Sequence, residues 1–203
     1  MKFDTDKDKF DMVIAGVGGQ GTVLASRIVA RAAMEAGWQV RTSETIGMAQ
    51  REGCVVSHVR VGKNLAGALI PDGRADVLLG FELAETARAL AKLKAGGRAI
   101  VSEDVIMPTS VSAGLSRYPV REIREYLEKE LPGASFLKAS EVARAAGNIK
   151  TANVVMLGAL STLPGLPFSP EGLLEAVLKT VPSHFREINR KAFEMGRRAM
   201  GVC

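Results

Sequence analysis

Two cysteines among 203 residues are too few for the four thiolates that an iron–sulfur cluster usually takes. Cys54 and Cys203 stand at opposite ends of most of the chain, which also excludes a disulfide framework and points to a reducing cytoplasm. Aromatic residues make up only 5%, leaving little from which to build a stacking surface for bases. Charge of one sign is not concentrated either. The formal net charge of +5 is modest and its lysines and arginines are interspersed with acids, so no nucleic-acid partner is expected. The densest basic stretch, Arg186 to Arg198, reads as a solvated helix face that also suits an acidic partner. Long apolar runs are missing as well. The greasiest segment, Val154 to Phe168, is broken by Pro164, Gly165 and Pro167 and falls short of a bilayer span. Met1 to Asp11 alternates Lys and Asp, unlike a signal peptide. A soluble, cytoplasmic protein with no membrane partner is the expectation.

What the chain has in quantity is glycine, 21 residues, and small aliphatic residues in a 47% hydrophobic composition. Its length suits one domain. The expected layout is a polar lead-in over 1–11, an α/β core over 12–140 and a mainly helical end over 141–203. Met12 to Val17 reads as a buried strand and Thr22 to Ala36 as a helix with Leu24, Ile28, Ala32 and Ala36 on its apolar stripe. Trp38 to Thr42 reads as a strand ending near Glu44, completing a βαβ unit. Val55 to Val61 alternates, with Val55, Ser57, Val59 and Val61 on one face and Val56, His58 and Arg60 on the other. Leu65 to Ile70 is expected as its hairpin partner. Further strands are expected at Ala75 to Phe81, Arg98 to Ser102 and Phe136–Leu137. Helices are expected at Leu83 to Leu93, stopping at Gly96–Gly97, at Val120 to Leu131, and from Glu141. Ser169-Pro170-Glu171 has the cap, proline and acid of a helix start. Phe185, Ile188, Ala192, Met195 and Ala199 mark the stripe of the last helix. The class that follows is α/β: a Rossmann-like three-layer domain with a mostly parallel sheet and a helical C-terminal end.

Gly16-Val17-Gly18-Gly19-Gln20-Gly21 lies between strand and helix as a phosphate-binding glycine loop should. Free amides at the helix start favour an anion, and Glu44 closes the next strand about where a dinucleotide-binding protein keeps its ribose acid. A ligand-free strand-to-helix turn is an equal reading of the same glycines. No metal-ligand set stands out. Arg51 has the planar fork that suits a phosphate or carboxylate, and equally suits a salt bridge to a partner. His58 reads as a hydrogen-bonded structural histidine, Glu44 as an acid that orients the neighbouring loop, and Cys54 as a small half-buried residue.

Two motifs together carry a resemblance. Ile14-Ala15-Gly16-Val17-Gly18-Gly19-Gln20-Gly21, with Ser43-Glu44, Gly47-Met48-Ala49-Gln50-Arg51 and Val56-Ser57-His58-Val59-Arg60, resembles the beta subunit of indolepyruvate ferredoxin oxidoreductase. That subunit is equivalent to the gamma subunit or domain of pyruvate and other 2-oxoacid ferredoxin oxidoreductases; Glu52 stands where the family commonly carries glycine. The resemblance implies a small subunit of a heteromeric complex. Thiamine diphosphate, magnesium and [4Fe-4S] clusters would then belong to a larger partner, with ferredoxin and coenzyme A reached through the complex. It also implies that Gly16, Gly18, Gly19, Gln20, Gly21, Glu44, Met48, Gln50, Arg51 and His58 contact substrate, coenzyme A or the partner. In agreement, the chain lacks the Gly-Asp-Gly motif that holds thiamine diphosphate through its metal; Pro71-Asp72-Gly73-Arg74 suits a turn. No catalytic residue is assigned. In isolation, an uncovered docking face is expected to favour a homodimer.

Overall fold

The computed structural model describes residues 9–47 and 53–201. The strands are β1 (Lys9–Val17), β2 (Gln39–Ile46), β3 (Cys54–Gly62), β4 (Ala75–Gly80), β5 (Leu93–Ser102) and β6 (Ser135–Leu137). The helices are α1 (Thr22–Glu35), α2 (Leu83–Ala89), α3 (Thr109–Ser112), α4 (Val120–Glu130), α5 (Ala139–Ala146), α6 (Ala152–Leu160), α7 (Pro170–Thr180) and α8 (Arg186–Ala199). One six-stranded sheet runs in the order β2-β3-β1-β4-β5-β6. β1, β4, β5 and β6 are parallel, and β3 is antiparallel to both β1 and β2. Five strands therefore share one direction, and only β3 opposes them.

Alternation along β1 divides the interior. Met12 and Ile14 face a large core built with α1, α5, α6, α7 and α8, whereas Val13 and Ala15 face a smaller one with Leu83, Ala89 and Leu127 of α2 and α4. Helices on both faces of one sheet make the three layers expected from the sequence.

Several details differ. β3 lies between β1 and β2, so the expected βαβ pair is not hydrogen-bonded to itself. With both edges of β3 occupied, no ladder is open to Leu65–Ile70, and that segment is not a strand. Side chains replace the ladder: Arg60 donates to the carbonyls of Gly67 (3.2 Å) and Leu69 (3.3 Å), and His58 Nδ1 accepts from the Ile70 amide (3.3 Å). β5 begins at Leu93, placing Gly96–Gly97 within a strand whose register with β4 is irregular. In α1 the buried stripe is Ala25, Ile28, Val29, Ala32 and Ala33, while Leu24 and Ala36 face outward. In α8 it is Asn189, Ala192, Phe193 and Gly196, with Phe185 exposed. The rotation follows from glycine-to-backbone contact between α6 and α8, where a methyl group at Gly158 would lie 2.0 Å from the Phe193 carbonyl oxygen. The start of α7 is as expected, with Ser169 Oγ accepting from the Gly172 amide at 3.0 Å.

Candidate functional site

The carboxyl ends of the parallel strands meet at the place where the chain's connections diverge. From β1 the chain crosses through α1 to β2 on one side, and β4 lies on the other. In open α/β sheets this divergence leaves a crevice. Here it is a cavity of about 550 Å³. Gly19, Gln20 and Phe81 form one wall, the 102–106 segment after β5 another, and residues around the starts of α5 and α6 the third.

The glycine loop is shaped by its glutamine. Gln20 Oε1 accepts from the Val17 amide and Gln20 Nε2 donates to the Phe81 carbonyl, both at 2.8 Å, so one side chain joins the ends of β1 and β4. Gly21 has φ of +81° and packs against the start of α6; a Cβ there would lie 2.6 Å from Asn153 Nδ2. A left-handed backbone and a side chain with no room for a methyl both require glycine. Gly18 donates its amide to the Gly53 carbonyl (2.8 Å) and Gly47 to Cys54 (2.8 Å), tying both ends of the 47–53 loop beside the glycine loop. Met48, Gln50 and Arg51 lie outside the described residues.

Of the glycine loop, Gly19 and Gln20 line the cavity, with Gly16, Gly18 and Gly21 beside them in the chain. Glu44 does not join them. It sits on β2, two strands from β1 and so about 10 Å across the sheet, with Ser26 Oγ donating to it at a long 3.4 Å. At that distance Glu44 does not stand beside the glycine loop, where the alternative reading as a ribose acid would need it. His58 pairs with Val13 in mid-sheet, about 10 Å below the loop, and faces the layer opposite α1. Burial, with Lys92 and Arg60 nearby, pushes its pKa below the usual histidine value. Cys54 is exposed, not half-buried, at the start of β3.

One organising residue was not singled out from sequence. Glu82, 1% exposed, caps α2 by accepting from the Glu85 amide at 2.9 Å. Its other oxygen accepts from the Tyr118 hydroxyl and, at 3.4 Å, from the Ile106 amide. Burial and the Glu82 carboxylate push the Tyr118 pKa upward. An acid between a strand and a helix was the available signal, but glutamate is an unusual cap and reads as an ordinary first-turn charge.

Among the described residues no three of His, Cys, Asp and Glu gather as a metal site. With Cys54 the one cysteine among them, this set does not fit an iron–sulfur cluster or metal-held thiamine diphosphate. No described helix is long and apolar enough to cross a membrane.

A mostly parallel α/β layer protein with its crevice at the strand carboxyl ends is the class these features define. The chain belongs to the family described as pyruvate ferredoxin/flavodoxin oxidoreductase, which it matches over residues 11–199. It is 42% identical to the indolepyruvate oxidoreductase subunit IorB of Thermococcus kodakarensis, over 94% of this chain and 96% of that one. The protein of the same name from Archaeoglobus fulgidus is also 42% identical, over 93% and 94%. The crystal structure of a keto/oxoacid ferredoxin oxidoreductase gamma subunit from Geobacter sulfurreducens superposes with a TM-score of 0.69 at 31% identity, covering 94% of this chain and 98% of that one.

Proposed function

We propose that this chain is the small subunit of a 2-oxoacid:ferredoxin oxidoreductase that acts on indolepyruvate or another arylpyruvate. The observation that carries the reading is near-full-length similarity to indolepyruvate oxidoreductase subunits, in a chain whose described residues offer no ligand set for the redox cofactors. The larger partner subunit supplies thiamine diphosphate, magnesium and the [4Fe-4S] clusters. The net reaction converts an arylpyruvate, coenzyme A and oxidised ferredoxin into arylacetyl-coenzyme A, carbon dioxide and reduced ferredoxin. The role of this chain is to dock on the partner and wall the active site or its coenzyme A entrance with the glycine loop and the 47–53 loop; the hydrogen bond from Gly18 to Gly53, at the edge of that segment, supports the pairing. In isolation its docking face pairs with a second copy.

Anaerobic affinity purification of the tagged chain from its native cells tests the assembly. A large brown partner that oxidises indolepyruvate with ferredoxin is the expected companion, and a colourless chain recovered alone would overturn the reading. Arg51→Ala in the reconstituted complex tests the loop. A raised coenzyme A requirement or reduced turnover is expected; unchanged kinetics would confine the subunit to assembly.

A further inference from the structure

We infer that the free edge of β2 is the surface through which the isolated chain pairs with a second copy, the two β2 strands running antiparallel about a two-fold axis at Ser43. The inference rests on the self-pairing proposed above and on nothing in the reading of substrate or cofactor.

The two edges of the sheet are unlike. β6 spans three residues, whereas β2 spans eight. β2 contains no proline, lysine or glycine, and its register with β3 runs unbroken from the Gln39–Gly62 pair to the Ile46–Val55 pair. The Gly47 amide donates to the Cys54 carbonyl at 2.8 Å, which continues this ladder and fixes its phase. Antiparallel partners alternate between pairs that exchange hydrogen bonds and pairs that do not. Gln39, Arg41, Ser43 and Thr45 therefore turn their amides and carbonyls toward β3, and Val40, Thr42, Glu44 and Ile46 turn theirs outward. Among the described residues these outward groups have no partner. A long edge without proline, lysine or a bulge is a template for another strand, and folded proteins ordinarily cover or disrupt it.

Self-complementarity selects a second copy as the occupant. A two-fold axis perpendicular to the sheet keeps each side chain on its own face, so it must pass through a residue and not between two. Centred on Ser43, it sets Val40 against Ile46 and Thr42 against Glu44, each twice, and every outward amide and carbonyl finds a partner. Neighbouring registers do worse. An axis at Arg41 or Glu44 places like charges directly opposite each other, and one at Thr42 leaves Ile46 beyond the paired residues of β2. The side chains agree with the Ser43 register. Val40 packs on the core beneath α1, and Ile46, on the same face, is 65% exposed until Val40 of the other copy covers it. On the opposite face Arg41 meets Thr45. Ser26 of α1 reaches Glu44, and Ala30 and Met34 follow it one turn apart along that flank. Met34 is 57% exposed and extends the apolar surface beside the edge.

Sedimentation equilibrium of the full-length chain, free of the larger subunit, measures the pairing. The wild type should be a reversible dimer. Thr42→Pro should raise its dissociation constant about tenfold or more, since it removes two inter-strand hydrogen bonds. The Thr42 amide faces away from β3, so the sheet keeps its own ladder, which an unchanged thermal midpoint checks. Ser43→Cys, with Cys54→Ser and Cys203→Ser, tests the register without a proline. At the axis the two copies of residue 43 form a non-hydrogen-bonded pair with Cα atoms about 4.5 Å apart, and mild oxidation should link them. Thr45→Cys in the same background should stay unlinked, its two copies standing about 13 Å apart. A chain that is monomeric at every concentration would overturn both the edge and the self-pairing. A dimer unaffected by Thr42→Pro, and linked no faster at 43 than at 45, would overturn the edge alone and leave the self-pairing standing. Neither outcome bears on co-purification with the larger subunit.

Discussion

Gln20 donates its side-chain amide to the carbonyl oxygen of Phe81 at 2.8 Å and thereby fastens the glycine loop to the end of the neighbouring parallel strand. The same side chain accepts from the Val17 amide, so the loop's conformation is set from within and not by a ligand. Gln20→Ala removes both bonds and leaves a strand-end amide and a carbonyl short of partners. A loss of about 1–3 kcal/mol in folding free energy is expected, measured by urea unfolding. A loss near zero would show that water replaces the glutamine without cost.

The helix pair α6–α8 should tolerate no added methyl. At Gly158 a Cβ would meet the Phe193 carbonyl oxygen at 2.0 Å, and at Gly196 the Val155 carbonyl oxygen at 2.1 Å. Backbone cannot rotate out of the way as a side-chain end can. Gly158→Ala and Gly196→Ala should each destabilise by about 3 kcal/mol, read from the shift of the denaturation midpoint. The double variant should lose less than the sum, because the first methyl already separates the helices that the second would clash with.

These two places show which parts of the molecule are legible in the sequence. The β1–glycine loop–α1 unit is written in local terms, with an apolar run, a permissive turn and a helical period, and its elements form as read, although the buried stripe of α1 is rotated away from Leu24 and Ala36. The insertion of β3 between β1 and β2 is a long-range pairing choice for which no local pattern codes. It is also what carries Glu44 away from the glycine loop and denies Leu65–Ile70 a ladder. The stripe of α8 was misplaced for a related reason. Hydrophobic spacing favours Met195 and Ala199, whereas the buried face is set by glycines that allow backbone contact. Asn153 and Glu82 carry no spacing signal, since their importance arises from what other segments bring beside them.

Half-buried Tyr118 and buried Glu82 form a pair that holds the segment after β5 near the cavity. The Tyr118 hydroxyl also accepts from the Ala84 amide at 3.1 Å. Tyr118→Phe removes a donor from a carboxylate that is almost fully buried and should cost about 1.5–3 kcal/mol in folding free energy by chemical denaturation. In the wild-type protein the Tyr118 phenolate absorbance should appear only above the pH at which a free tyrosine ionises, because burial and Glu82 both oppose the charged form.

His58 gives the fold a defined acid sensitivity. Its Nδ1 must be unprotonated to accept from the Ile70 amide, and its pKa in the folded protein lies below the ordinary histidine value of 6.5. Above that value neither the folded nor the unfolded chain binds the proton, and the histidine contributes no pH dependence. As the pH falls through 6.5 the unfolded chain takes up a proton that the folded one excludes, so stability declines. The slope stays under the one-proton ceiling of about 1.4 kcal/mol per pH unit and levels off below the folded-state value. Glu85 adds nothing in the same direction there: burial raises its pKa, so protonation at acid pH favours its folded form. His58→Gln removes the titrating group. Unfolding free energies measured from pH 8 to pH 5 should fall in the wild type below pH 6.5 and stay flatter in the variant. Parallel curves for the two proteins would mean that the Ile70 amide finds another acceptor when His58 is charged, and that the 65–70 segment is held by Arg60 instead.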